Sequence, residues 1–98
     1  MPHQVYRFPS AARAKLEAAL GDDILSRQSL VIQDARHFGV PGDWIFLFVE
    51  GEDKGILRAD AVLLDFGERA PEGEVLYRML KDEEDAAASG LGSVFGDV

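Results

Sequence analysis

The chain has no cysteine among its 98 residues, and that single absence excludes disulfide frameworks, thiolate catalysis, iron–sulfur clusters and cysteine-rich zinc sites together. It also lacks a basic excess. Ten Lys and Arg stand against eighteen Asp and Glu, a formal net charge of −8, which repels a phosphate backbone unless the basic groups gather on one face. No window approaches the roughly 18 uninterrupted apolar residues that mark a membrane helix. The opening MPHQVYRFPS has no apolar stretch behind a basic start, so no secretory signal is expected and a cytoplasmic location is the default expectation.

What the chain does have is material for one small core: 47% hydrophobic residues, nine of them aromatic. The acid is unevenly spread. Residues 1–40 carry five basic and four acidic groups, whereas residues 41–98 carry five and fourteen. A solvated surface is the plain explanation, and a cationic partner for the C-terminal half is the sharper one.

Local patterning predicts the elements in order. Gln4 to Phe8 alternates and stops at Pro9, which reads as a short strand. SAARAKLEAALG reads as a helix with Ser10 as its N-cap, Ala12, Leu16, Ala19 and Leu20 on one face, and Gly21 as its stop. Gln28 to Asp34 (QSLVIQD) reads as a second strand, and Gly39, Pro41 and Gly42 supply turn chemistry after it. Trp44 to Val49 is six large apolar residues without a charge, which suits a strand covered on both faces or central in a sheet.

Residues 52–66 admit two readings. As a helix they place Leu57, Ala61 and Leu64 at i, i+4 and i+7, with Gly55 counting against it; as a hairpin they turn at EDKG. The helix is the expectation. A last helix opens at Pro71 with Val75, Leu76, Met79 and Leu80 as its apolar stripe, and that stripe runs into DEED at Asp82–Asp85. Its second half is therefore expected to leave the body of the domain. Glycines 90, 92 and 96 argue against helix beyond that point, so residues 1–90 are expected to form a single α+β domain and residues 91–98 a Gly-rich tail.

The order β-α-β-β-α-α begins as a split βαβ unit and resembles, in element order alone, ferredoxin-like or ACT-like two-layer sandwiches. That resemblance implies a small antiparallel-rich sheet with helices on one face. It implies no activity, since no motif accompanies it.

Candidate chemistry is thin. Asp34, His37 and Asp43 sit close enough in sequence to suggest a metal site, yet such spacing on an irregular segment is commonplace. Asp60 and Asp65 flank the apolar AVLL and are the best placed carboxylates for acid–base work. The serines lack a nucleophile-elbow setting, and Gly90, Gly92 and Gly96 are spaced one residue too long for a dinucleotide loop. Tyr6, Phe8, Trp44, Phe46 and Phe48 could stack bases as a sheet platform, but the core needs the same aromatics. Neither a catalytic, a cofactor-binding nor a metal-binding residue is therefore assigned, and nucleic acid is not expected as a partner.

The leading expectation is a non-catalytic protein acting through protein contact or self-association as a homodimer, with Leu91, Val94 and Phe95 of the tail as partner-binding residues. A small-ligand sensor of ACT-like type, its ligand near the Gly39–Gly42 turn, is the alternative. An enzyme using carboxylates comes third.

Overall fold

The computed structural model describes the backbone of residues 1–97 and the side chains of residues 1–87. Its elements are β1 (His3–Pro9), α1 (Arg13–Ala19), β2 (Ser29–Asp34), β3 (Trp44–Glu50), α2 (Asp53–Leu63), β4 (Glu68–Arg69) and α3 (Gly73–Asp97). They form an α+β fold around a four-stranded antiparallel sheet in the order β2-β3-β1-β4. Because β1 and β2 both run antiparallel to β3, they are parallel to each other with β3 between them. This is the split βαβ start that the element order predicts.

Strand β3 has neighbours on both sides and packing on both faces, and its sequence explains why. Strand side chains alternate between faces. Ile45, Leu47 and Val49 therefore point one way and meet Tyr6, Phe8, Leu16, Leu25, Ala59 and Leu63, while Phe46 and Phe48 point the other way and meet Val5, Ala35, Leu76 and Leu80. A run with no polar alternation is stable only when neither face is wet. Burying each phenylalanine contributes roughly 2–3 kcal/mol, so leaving either face open would forfeit much of the core.

The expectation of helices on one face is thereby corrected. Helices α1 and α2 cover the first face, and α3 crosses the second, leaving a helix layer on each side of the sheet. The element order also gains a strand: Glu68 and Arg69 pair with Arg7 and Tyr6 of β1. Two charged residues carry no hydrophobic signal, and this strand is held by main-chain pairing to β1 and by the ion pairs of Glu68 with Arg7 and Arg69 with Asp60.

Residues 52–66 are helical from Asp53 to Leu63, but the buried side is Gly55, Ala59 and Leu63, not the Leu57, Ala61 and Leu64 stripe. Leu57 is 71% exposed. Gly55, which counts against a helix on propensity, is what lets α2 approach the Gln28 side chain: a Cβ there would stand 2.2 Å from Gln28 Oε1. Along α3, Leu76 and Leu80 are buried while Val75 and Met79 remain exposed. Ser10 lies in a 3-10 turn ahead of α1 and gives its hydroxyl to Asp43, not to the helix end. The turn before β3 has Gly39 and Gly42 at φ 73° and 104°, backbone that L side chains rarely adopt.

Helix α3 runs across the sheet from β1 towards β2. Gly73 lies against Val5, Tyr77 and Lys81 reach Glu50 of β3, and Glu83 reaches His37 in the turn after β2. From Asp82 to Ala87 every residue is exposed, as the interrupted stripe predicts. The helix continues to Asp97, past glycines expected to end it. Propagating an established helix fixes one residue per bond and is far less costly than nucleating one.

Candidate functional site

Two polar clusters hold the sheet to its helices. At the β4 side, the buried Tyr6 hydroxyl donates to Asp60 Oδ1 at 2.6 Å, and the Arg69 guanidinium grips both oxygens of the same carboxylate. Burial would raise the Asp60 carboxyl, but the hydrogen bonds from Arg69 and Tyr6 and the Arg69 charge outweigh it and hold it below its ordinary value. The Tyr6 phenol is pushed well up by burial and by that same bond. The arrangement ties β1, α2 and β4 together, and it holds a neutral phenol and an ionised carboxylate in place.

At the other end, Glu50 of β3 accepts from Tyr77 Oη and from Lys81 Nζ, each at 2.6 Å. The His3 ring stacks on Tyr77 with centroids 3.6 Å apart, and His3 Nε2 lies 2.9 Å from Glu74 Oε1. Burial again pushes the Glu50 carboxyl up, and the Lys81 and Tyr77 hydrogen bonds with the Lys81 charge bring it below the ordinary range. Tyr77 is raised, first by its bond to Glu50 and then by burial. This cluster anchors the last turn of α3 that packs on the core, and beyond it Glu83 makes a surface contact with His37.

The residues singled out from the sequence do not converge. Asp34 is held by Arg13, Asp43 by Ser10, and His37 lies 2.8 Å from Glu83. Among the described residues no three His, Asp or Glu side chains form a group able to hold a metal. Asp60 is committed to Tyr6 and Arg69, while Asp65 is exposed beyond the end of α2. Five residues apart on a helical path is about 140° of rotation, so the two carboxylates face different ways. The aromatic platform is split: Tyr6 and Phe8 belong to the α1/α2 face, Phe46 and Phe48 to the α3 face. Trp44 lies under the Arg7 guanidinium, 4.2 Å from it. Leu91, Val94 and Phe95 lie outside the residues whose side chains are described.

A pocket of about 500 Å³ opens where β3 meets α2, lined by Met1, Arg27, Gln28, Glu50, Gly51 and Lys54 among others. The pocket at the Gly39–Gly42 turn is about 90 Å³ and is lined by Ser10, Asp34, Arg36, Gly42, Asp43 and Trp44. Small-molecule sites commonly run from about 300 to 1,000 Å³, so the first has room for a ligand and the second does not.

Sequence reasoning missed two surfaces. One is the outer edge of β2: it is the last strand on its side of the sheet, and among the described residues its main-chain ladder bonds go to β3 alone. The signal was present in SLVIQD, an apolar strand without lysine, arginine or proline. The other is the exposed pair Val75 and Met79, one turn apart on α3. No helix among the described residues is long and apolar enough to cross a membrane. No family model, no curated protein and no solved structure matches this chain.

Proposed function

We propose that this is a non-catalytic acidic protein that acts through protein–protein contact, with self-association as the first form of that contact. The observation that carries the reading is the course of α3. It packs on the sheet through Leu76, Tyr77 and Leu80, then carries Asp82–Ala87 exposed, with Glu83 reaching His37, and continues as helix to Asp97. A helical stretch whose side chains are exposed, as at Asp82–Ala87, gains little from propensity in water. It becomes worthwhile when another surface lies along it. Val75 and Met79 offer an apolar spot on the same helix, and Leu91, Val94 and Phe95, spaced i, i+3 and i+4, are the residues we assign to the partner. The cytoplasm is the proposed location.

Light scattering across a protein concentration series tests the reading: the mass rises to that of two chains, whereas a monomer at every concentration overturns self-association. The alternative, a small-ligand sensor, draws on the pocket of about 500 Å³ beside Glu50, not on the turn. A thermal-shift panel of amino acids and nucleotides discriminates, because a ligand selective for the native state must raise the melting temperature. A compound doing so would favour the sensor.

A further inference from the structure

We infer that the free edge of β2 is the seam on which a second copy of this chain docks, as an antiparallel β2–β2′ pair centred on Val31 that joins two four-stranded sheets into one of eight. The inference deepens the contact reading above and rests on it.

The sheet has two edges, and among the described residues only one is protected. Folded proteins blunt exposed edges with short strands, charge, proline or a covering element, because an open row of N–H and C=O groups is a template for another strand. At the far edge β4 is two residues long, both are charged, and Pro71 follows. At the near edge β2 is six residues long, Ser29–Asp34, with Asp34 its sole charge and that at its end. Leu30, Val31 and Ile32 are each only partly buried, so apolar area remains for a neighbouring strand to cover.

The strand is also self-complementary in one register. A two-fold axis normal to the sheet keeps each face of one copy continuous with the same face of the other, and it requires facing residues of equal parity. Centred on Val31, the pairs are Val31 with Val31′, Leu30 with Ile32′ and Ser29 with Gln33′. Apolar meets apolar, uncharged polar meets uncharged polar, and Asp34 faces Gln28′. Centred on Ile32, the pairing sets Leu30 against Asp34′, placing a carboxylate against an aliphatic side chain. The Val31 register is therefore the favoured one, since matched cross-strand pairs each contribute up to about 1 kcal/mol. The partner is a second copy because the same five residues, Ser29 to Gln33, supply both halves of the match.

The absence of cysteine makes the test direct. In the proposed register the two position-31 Cα atoms face each other at about 4.5–5.5 Å, inside the span a disulfide needs. The two position-32 Cα atoms are offset by two residues and stand roughly 8 Å apart, outside it. Val31→Cys and Ile32→Cys variants of the full chain are oxidised mildly and run on non-reducing gels, beside light scattering of the wild type. The expected result is a wild-type dimer, a covalent dimer from V31C and little from I32C. A wild-type dimer whose V31C variant stays uncrosslinked overturns the seam and leaves self-association standing. Crosslinking by I32C as readily as by V31C overturns the register. A wild type that is monomeric throughout overturns both. Should V31C not fold, amide exchange of wild-type Leu30–Gln33 at high and low protein concentration replaces it: protection that falls on dilution supports the seam, and protection independent of concentration overturns it.

Discussion

The two edges of the sheet are built oppositely. The β4 edge is closed by side chains: Arg69 is clamped on Asp60, Asp60 takes the buried Tyr6 hydroxyl, and Arg7 pairs with Glu68 and Glu72. On β2 the described side chains make one ion pair, Asp34 with Arg13 at the strand's end, and Leu30, Val31, Ile32 and Gln33 before it are half-buried. Ion pairs and a two-residue strand end a sheet, whereas a strand of six residues with its one charge at the end leaves room for continuation. The contrast teaches that, of the two edges, β2 is the one whose outer ladder has no main-chain partner among the described residues.

The largest expected effect comes from breaking the closed edge. Asp60→Ala strands the fully buried Tyr6 hydroxyl without an acceptor and releases Arg69, a loss of about 2–3 kcal/mol in urea unfolding. Asp60→Asn, which keeps an acceptor for Tyr6, is expected to lose about 1 kcal/mol. Next comes Gly67→Ala at the turn into β4. Its Cβ would stand 2.2 Å from Phe8 Cδ2 and 3.0 Å from the Arg7 carbonyl oxygen, and overpacking against a buried ring and main chain costs about 2 kcal/mol. None of these three variants should alter the oligomeric mass, because none touches β2.

Acid should separate the edges without mutation. The Asp60 carboxyl is held below its ordinary value of 3.8, so its contribution is fully present above about pH 4 and is lost as pH falls through the folded value beneath that. As pH is lowered below about 4, amide exchange is expected to speed at Ala70, whose N–H donates to Val5 O at 2.9 Å, before it speeds along the β2–β3 ladder. Equal acceleration at both edges would refute the separation. The smallest effect concerns salt. Two chains of net charge −8 repel, and raising salt to 0.15 M shortens the screening length to about 8 Å. Dimer dissociation should weaken by roughly two- to threefold, read by light scattering at fixed concentration.

Much of this fold is legible in the sequence where hydrophobic pattern carries the signal. QVYRF, QSLVIQD and WIFLFV each fall on a strand, and the helix over 53–63 prevails over the hairpin. The two-faced cover of the sheet is only half legible, since six apolar residues in a row suit either cover on both faces or a central strand and helices on one face are the expectation. The structure places helices on both. What is not legible has a physical reason. β4 is two charged residues held by main-chain bonds to β1 and by ion pairs to Arg7 and Asp60, so hydrophobic pattern does not report it. The rotation of α2 follows from Gly55 packing on Gln28, a contact between distant segments. Val75 and Met79 read as core by periodicity, yet α3 meets the sheet through Leu76 and Leu80, about 100° away per residue. The candidate site was less legible still, because an edge is defined by the strand that is missing beside it.

The most direct test of the central claim is the oligomeric mass of the full wild-type chain measured by light scattering as protein concentration rises at 0.15 M salt. An open β2 edge with a self-complementary register predicts convergence on the mass of two chains and no further growth, since the pairing closes on itself. A constant single-chain mass, or growth beyond two chains, would contradict it.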